Sequence, residues 1–304
     1  VKKKILWALD PFETSENADS HMVELLTLLS KSNQVTVEPV YVLEFSYTLD
    51  SDQVLVRTGL QSYRSSAEKL LQERLKGIEN IHFGSPQVLV QQMPSVSEAV
   101  QILVDFASAI RAEMIAVSTH GRHGIKRLFL GSFTERLLSF SPIPVLTVSP
   151  RVEVKPIRNM LFATDFKESS KKNFDVAVEL ASNLGANLKV FYATPHTIES
   201  IVQSGAYLIG GGWVELPPYV KDADEEKRRM AEDWIQQARS KVSIQYEYDT
   251  RSGSVANRII HPTSGEVEFI VMAAHSGPVT AAVLGSVARQ VVRSAPCPVL
   301  VLRH

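Results

Sequence analysis

The sequence has a single cysteine, Cys297, so no intramolecular disulfide can form and no cysteine-based zinc site can be assembled. An excess of one charge is also missing: 32 Lys and Arg stand against 33 Asp and Glu, a formal net charge of -1. That balance argues against a polybasic nucleic-acid binder, whose affinity would rest on a cationic surface. No apolar run approaches the roughly 18 residues of a membrane span. The opening Val1-Lys2-Lys3-Lys4-Ile5-Leu6-Trp7-Ala8-Leu9-Asp10 is basic and then briefly apolar. Its apolar part is too short for a secretory signal, and no small-residue cleavage site follows. These absences lead to the expectation of a cytoplasmic protein that engages neither nucleic acid nor membrane. What is present is ordinary globular composition, 44% hydrophobic and 21% charged. At a prior of ~150 residues per domain, the 304 residues suggest two domains. Each is large enough to bury roughly 68–70% of its unfolded surface.

The two halves repeat. Lys4-Ile5-Leu6-Trp7-Ala8-Leu9-Asp10 and Met160-Leu161-Phe162-Ala163-Thr164-Asp165 are both apolar runs ending in an aspartate, 155 positions apart. Glu113-Met114-Ile115-Ala116-Val117-Ser118-Thr119-His120 parallels Glu268-Phe269-Ile270-Val271-Met272-Ala273-Ala274-His275 at the same offset of 155. Leu130-Gly131-Ser132 matches Leu284-Gly285-Ser286, and Pro142-Ile143-Pro144-Val145-Leu146 matches Pro296-Cys297-Pro298-Val299-Leu300, both at 154. A constant offset broken by one deletion points to duplication. The boundary falls at 150–156, giving domains 1–150 and 156–304.

Apolar strands alternate with helical patterns in each half. Strands are predicted at 5–9, 35–42, 87–91, 114–117 and 145–148, and at 160–163, 188–192, 243–248, 269–272 and 299–302. Helices are predicted at 16–29, 63–77, 95–110 and 132–139, and at 170–184, 224–239, 254–262 and 286–293. Ser15 and Ser169 are candidate caps for the first helix of each half, and Gly185 is a C-terminal stop. The fold class is α/β: two tandem open-sheet domains, each a five-stranded parallel sheet with helices on both faces. In such sheets ligands bind beyond the carboxyl ends of the strands, where strand order reverses.

The chemistry concentrates in the segment from Ser118 to Thr134. It leaves a buried strand, crosses a loop holding Gly121 and Gly124, and enters a helix at Gly131-Ser132. A helix N-terminus offers free N–H groups and the positive end of a dipole, which suits phosphate. This is neither a Walker A loop, which needs Gly-Lys-Ser/Thr, nor a Gly-x-Gly-x-x-Gly turn after the first strand. Simpler roles compete. Asp10 and Asp165 can stabilise a turn, Ser132 and Ser286 can be helix N-caps, and His120 and His275 can hold the loop by hydrogen bonds. His120 and His123 lack the carboxylates or cysteines that a zinc site would need. Gly210-Gly211-Gly212 reads as a surface loop, the acid-then-base run from Asp222 to Arg229 as a solvated helix start, and Cys297 as buried and inert.

The chain resembles a tandem universal stress protein, with an adenine-nucleotide alpha-hydrolase-like, Rossmann-like fold, and the resemblance runs almost end to end. Nucleotide-binding members of that family carry Gly-x2-Gly-x9-Gly-Ser/Thr after the fourth strand. Here Gly121 is the second glycine, nine residues follow, and Gly131 and Ser132 close the motif; Ser118 replaces the first glycine. The resemblance implies that Asp10 sits by the adenosine and that Val42 offers backbone contacts to adenine. It implies that Gly121 lets the loop wrap ribose and phosphates, and that Gly131, Ser132, Phe133 and Thr134 hold phosphate oxygens. In the second half the equivalents are Asp165, Ala193, Gly277, Gly285 and Ser286. That loop departs further: Ala273 and Ser276 replace glycines, Ala288 replaces Thr134, and Pro278 removes a donor. The second pocket is therefore expected to be degenerate, or to take something other than a triphosphate.

The leading expectation is a stress-response protein that binds an adenine nucleotide, ATP with or without Mg2+, mainly in the first domain, as a regulator and not an efficient enzyme. A nucleotide-independent interaction module is the alternative, and a slow ATP hydrolase a weaker one. No catalytic residue or metal ligand set is assigned, although Asp10 could reach Mg2+ through phosphates. The two halves are expected to pair as an intramolecular pseudo-dimer through their last strands, and a further homodimer stays open.

Overall fold

The computed structural model describes residues 3–12, 16–31, 35–44, 53–91, 95–119, 130–194, 218–251, 253–263, 265–274 and 284–303. Apolar and β-branched runs form the strands and amphipathic stretches between them form the helices. The first half contains β1 (Lys3–Ala8), α1 (Glu16–Leu29), β2 (Val35–Glu44), α2 (Gln53–Leu75), β3 (Gln87–Gln91), α3 (Val96–Ala109), β4 (Met114–Ser118), α4 (Ser132–Phe140) and β5 (Val145–Val148). The second contains β6 (Asn159–Ala163), a 3-10 turn at Glu168–Ser170, α5 (Lys171–Leu184), β7 (Asn187–Ala193), α6 (Pro218–Ala238), β8 (Ile244–Asp249), α7 (Val255–Ile260), β9 (Phe269–Ala273), α8 (Ser286–Ser294) and β10 (Val299–Leu302).

The strands stand where the sequence places them, within a residue or two. Two helix starts and one cap differ. α2 begins ten residues before the expected position 63, at Gln53. No acidic residue marks its first turn, although Asp52 stands just ahead of it as a candidate cap in the sequence. α6 opens on Pro218, well before 224, because proline at the first helical position has no N–H to leave unpaired and a preset φ. Ser169 does not cap α5. It lies inside the 3-10 turn, and the capping position is Ser170, whose hydroxyl bonds elsewhere. Ser15 and Gly210-Gly211-Gly212 lie outside the described residues. Gly185 does stop α5, in the left-handed conformation at φ 64 that favours glycine.

All ten strands form one sheet in the order β3-β2-β1-β4-β5-β10-β9-β6-β7-β8. Within each half every pairing is parallel. The halves join through an antiparallel pair, β5 with β10, in register Val299 to Thr147, Leu300 to Leu146 and Val301 to Val145. The two open sheets expected from the sequence are thus one continuous mixed sheet, fused through the last strands. Buried Thr147 donates its hydroxyl to the Val299 carbonyl at 3.1 Å across this seam. Arg289 Nε meets Glu135 Oε1 at 3.0 Å between α8 and α4, and Lys3 Nζ meets Glu179 Oε1 at 2.7 Å between β1 and α5.

Alternation along each strand feeds two cores, one per face. Ile5 and Trp7 of β1 point into the first with α1, α2, α5 and α6, through residues such as Leu25, Leu71, Phe174 and Trp234. Leu6 points into the second with α3, α4, α7 and α8, through Leu103, Leu137, Ile259 and Val291. Both cores run unbroken across the seam: Leu146 and Leu300 share the first, Val145 and Val301 the second. Covered on both faces, the sheet leaves its strand ends as the exposed concave surface.

Candidate functional site

Strand order reverses at β1, which pairs with both β2 and β4, and at β6, which pairs with β7 and β9. In open α/β sheets this reversal is where a ligand crevice forms, at the carboxyl ends of the strands. In the first half Asp10 follows β1, and its Oδ1 accepts the Phe12 N–H at 3.0 Å. Val42 lies in β2 opposite Leu89. Ser118 ends β4, and the chain returns to it at Gly131, whose N–H donates to the Thr119 carbonyl at 3.1 Å. α4 then starts with Gly131 as its capping residue at φ -59, ψ 142, a residue with no side chain to cap it. Ser132 is therefore the exposed first residue of the helix and not its N-cap. Phe133 packs on the second core. Thr134 is 3% exposed, and its hydroxyl donates to the Ser118 carbonyl at 3.1 Å, pinning the helix to the strand end. Gly121, with His120, His123 and Gly124, lies outside the described residues.

The second half repeats this layout and, among the described residues, encloses a cavity of about 970 Å3 there. That is the upper end of the ~300–1,000 Å3 usual for small-molecule sites. Asp165, Ala193, Gly285 and Ser286 all line it. Gly285 has nearly the backbone of Gly131, φ -58 and ψ 146, again with no side-chain cap, and its N–H donates to the Ala274 carbonyl at 3.0 Å. Ser286, like Ser132, is a first helical residue and not a cap. Ala288 is buried where the first half has Thr134, so the hydroxyl tie to the strand end is missing. Gly277, His275, Ser276 and Pro278 lie outside the described residues. Asp165 does what the turn-stabilising reading expects: its Oδ1 accepts the Lys167 N–H at 3.2 Å and the Ser170 hydroxyl at 3.0 Å. Its Oδ2 stands 3.0 Å from the Lys167 ammonium.

Three features of this site were not visible in the sequence. Phe166 takes φ 52, a left-handed conformation for a residue with a side chain. That turn drives its ring into an aromatic cluster, 5.3 Å from Trp234, 6.0 Å from Tyr192 and 5.8 Å from Tyr246. In the first half the ring that meets the matching tyrosine, Tyr41, is Phe12, one position later and 46% exposed. The shift frees position 167 for a lysine. Second, Lys227 of α6 reaches back over the cavity, donates to Tyr192 Oη at 2.6 Å and sits 4.7 Å above its ring. Third, β8 ends in an ion cluster around buried Asp249. Burial pushes the fully enclosed Asp249 carboxyl up, but the Arg251 side-chain and backbone hydrogen bonds, with the charges of Arg251 and Arg258, outweigh it and hold it below the usual carboxylate range. Arg258 is 3% exposed and donates to the carbonyls of Asp249, at 3.1 Å, and Thr194. No spacing links residues as distant as 166, 192 and 234, so only the chain topology brings them together.

No group of three or more His, Cys, Asp or Glu suited to a metal is present among the described residues, and no helix there is long and apolar enough to cross a membrane.

Comparison with known proteins agrees with this layout. A solved universal stress protein from Archaeoglobus fulgidus covers 99% of this chain and 98% of its own, at 17% identity and a TM-score of 0.69. Universal stress protein MJ0577 of Methanocaldococcus jannaschii is 29% identical over 161 residues, spanning 48% of this chain and 94% of the relative. Universal stress protein MJ0531 of the same organism is 26% identical over 148 residues, spanning 48% and 81%. A universal stress protein from Archaeoglobus fulgidus was solved in complex with dAMP; it covers 48% of this chain and 98% of its own, at 18% identity and a TM-score of 0.34. The model of the universal stress protein family matches residues 2–149 and again 156–303, so the chain belongs to that family, as a tandem of two repeats.

Proposed function

We propose that the protein is a cytoplasmic, nucleotide-responsive regulator of the stress response that binds an adenine nucleotide at the carboxyl ends of its strands. ATP is the first candidate, and the first repeat, 1–150, its main site, with Asp10, Val42, Ser118, Gly121, Gly131, Ser132, Phe133 and Thr134 in contact. The second repeat, 156–304, pairs with the first as a built-in pseudo-dimer. One observation carries the reading. Both α4 and α8 open on a glycine with the same backbone angles and no capping side chain, at the point where strand order reverses, and in the second repeat that point is the wall of a ligand-sized cavity. Uncapped N–H groups and the positive end of a helix dipole attract a phosphate. A family that includes a dAMP-bound member supports adenine as the base.

Mg2+ would arrive with the phosphates. Asp165 Oδ1 is already held by the Lys167 N–H and the Ser170 hydroxyl, and its Oδ2 faces the Lys167 ammonium at 3.0 Å. The same engagement, with that of the Thr134 hydroxyl, favours the second reading, a nucleotide-independent interaction module.

Thermal unfolding with and without ATP and Mg2+ separates the two. A ligand held only by the native state stabilises it by about 2.7 kcal/mol at a hundredfold excess over Kd. Gly131→Trp is expected to abolish that gain under the nucleotide reading. Absence of any shift with the unaltered protein at millimolar ATP would sink the nucleotide reading and leave the interaction module.

A further inference from the structure

We infer that a cavity between the two repeats, at the amino ends of the strands, binds a compact amphipathic monocarboxylate. Its apolar body lies between the repeats, and its carboxylate sits at a rim formed by Lys31 and Arg158. The inference is independent of the nucleotide reading, whose sites lie at the opposite end of the sheet. The cavity has a volume of about 350 Å3, near the lower end of the ~300–1,000 Å3 usual for small-molecule sites. It opens where β1, β2 and β4 begin and where the last turns of α1 and α5 approach Pro156-Ile157-Arg158, the segment leading into β6. Both repeats therefore supply its walls. Ile5, Leu29 and Ile157 are buried there, while Leu28, Met114 and Leu184 are only partly buried. An apolar body placed in the cavity removes from water surface that the pairing of the repeats leaves open.

The ionisable side chains on the wall are Lys3, Lys31, Glu113 and Arg158, three cations against one carboxylate. Lys3 is matched by Glu179 at 2.7 Å and Glu113 at 3.5 Å. Lys31 and Arg158 are exposed, and among the described residues neither side chain has a carboxylate partner. The Arg158 backbone N–H is used, donating to Glu268 Oε2 at 3.3 Å, but its guanidinium is left for a ligand. A guanidinium presents its N–H groups as a fork that fits a carboxylate, and a lysine adds a compact charge. The helix ends set the orientation. α1 and α5 both finish at the cavity, and helix C-termini carry the negative end of the dipole. Lys31, just past α1, complements that dipole, which is an ordinary reason for a lysine there. Arg158 belongs to no helix, so the same reason does not cover it. A carboxylate is thus held outward at Arg158 and Lys31 with the apolar body turned inward. A second negative charge placed deeper would face helix carbonyl ends and Glu113, which disfavours a phosphate or a dicarboxylate.

Equilibrium dialysis of the full chain with labelled octanoate, and separately with labelled octanol, tests the inference. Octanoate is expected to saturate at one equivalent, with an affinity that falls as salt rises because the rim charges are exposed. Octanol, with the same body and no charge, is expected to bind roughly tenfold more weakly. Lys31→Glu with Arg158→Glu, both at exposed positions, is expected to lower octanoate affinity by at least about tenfold and leave octanol binding unchanged. Asn183→Trp, at an exposed position on the wall, fills the mouth and is expected to abolish binding of both. Should that variant fold poorly, the charge-reversed pair still decides. No octanoate bound at millimolar concentration overturns the inference. So does octanoate held as tightly by the charge-reversed variant, or retained in full by a folded Asn183→Trp variant. Each of these outcomes leaves the nucleotide reading standing.

Discussion

Phe166 offers a test in which the usual order of two substitutions inverts. Its ring is 2% exposed and touches three other rings, so truncation to alanine loses a buried aromatic, about 3–5 kcal/mol. Truncation to glycine loses the same packing. The two variants differ in the backbone. At ordinary angles glycine is the less stable of the pair by roughly 0.5–1 kcal/mol, since its unfolded chain has more freedom to lose. At φ 52 an L-residue is strained by roughly 1–2 kcal/mol, and only glycine escapes. The strain term is the larger, so Phe166→Gly is expected to be more stable than Phe166→Ala by about 1 kcal/mol. Urea denaturation followed by tryptophan fluorescence measures this, because Trp234 lies 5.3 Å from the substituted ring. If the alanine variant matches or exceeds the glycine variant, the left-handed turn is not what holds Phe166 in the cluster.

Lys3 bridges the halves through Glu179 at 2.7 Å and also meets Glu113 of its own half at 3.5 Å. The Glu179 hydrogen bond raises its pKa against the opposing effect of burial. Its contribution is thus fully present below the unfolded lysine value of about 10.4 and is lost as pH rises through the higher folded one. Being partly exposed, the pair is worth no more than about 1 kcal/mol, and the melting-temperature gap between the unaltered protein and Lys3→Met should close at strongly alkaline pH. Asp249 has the opposite sign: its folded pKa is depressed, so its stabilisation is present above the unfolded value of about 3.9 and fades as pH falls. Asp249→Ala strands Arg258 in the interior and is expected to cost about 3–5 kcal/mol at neutral pH by chemical denaturation. Burial pushes the Cys297 thiol up to about 12, so a thiol reagent is expected to label it only after unfolding, as absorbance of the released chromophore would report. Thr134→Val removes the donor to the Ser118 carbonyl and should lower stability by about 1 kcal/mol, read as a shift of the urea midpoint.

Much of the fold is legible in the sequence because strand and helix periods are local properties. Apolar runs place ten strands, and the repeat offset aligns Asp10 with Asp165 and Gly131 with Gly285. Gly185 announces its helix end because few other residues accept φ 64. The start of α2 at Gln53 was legible only in part: Asp52 just ahead of it is a candidate cap, but no acidic residue marks the first turn. The serines after Gly131 and Gly285 look like N-caps but are first helical residues, a distinction of one residue that only backbone angles make. Tertiary structure decided the rest. It made two sheets one, because the unpaired edges of β5 and β10 satisfy each other's hydrogen bonds in the antiparallel sense. It also decided the chemistry of the second cavity. Lys167 and Lys227 are separated by 60 residues of chain and are unremarkable charges in the sequence. Only the left-handed turn at Phe166 and the reach of α6 across the strand ends bring both onto one wall, one beside Asp165 and the other on Tyr192. Composition fixes how many charges a chain has, but which of them remain for a ligand depends on distances that arise when separate elements pack.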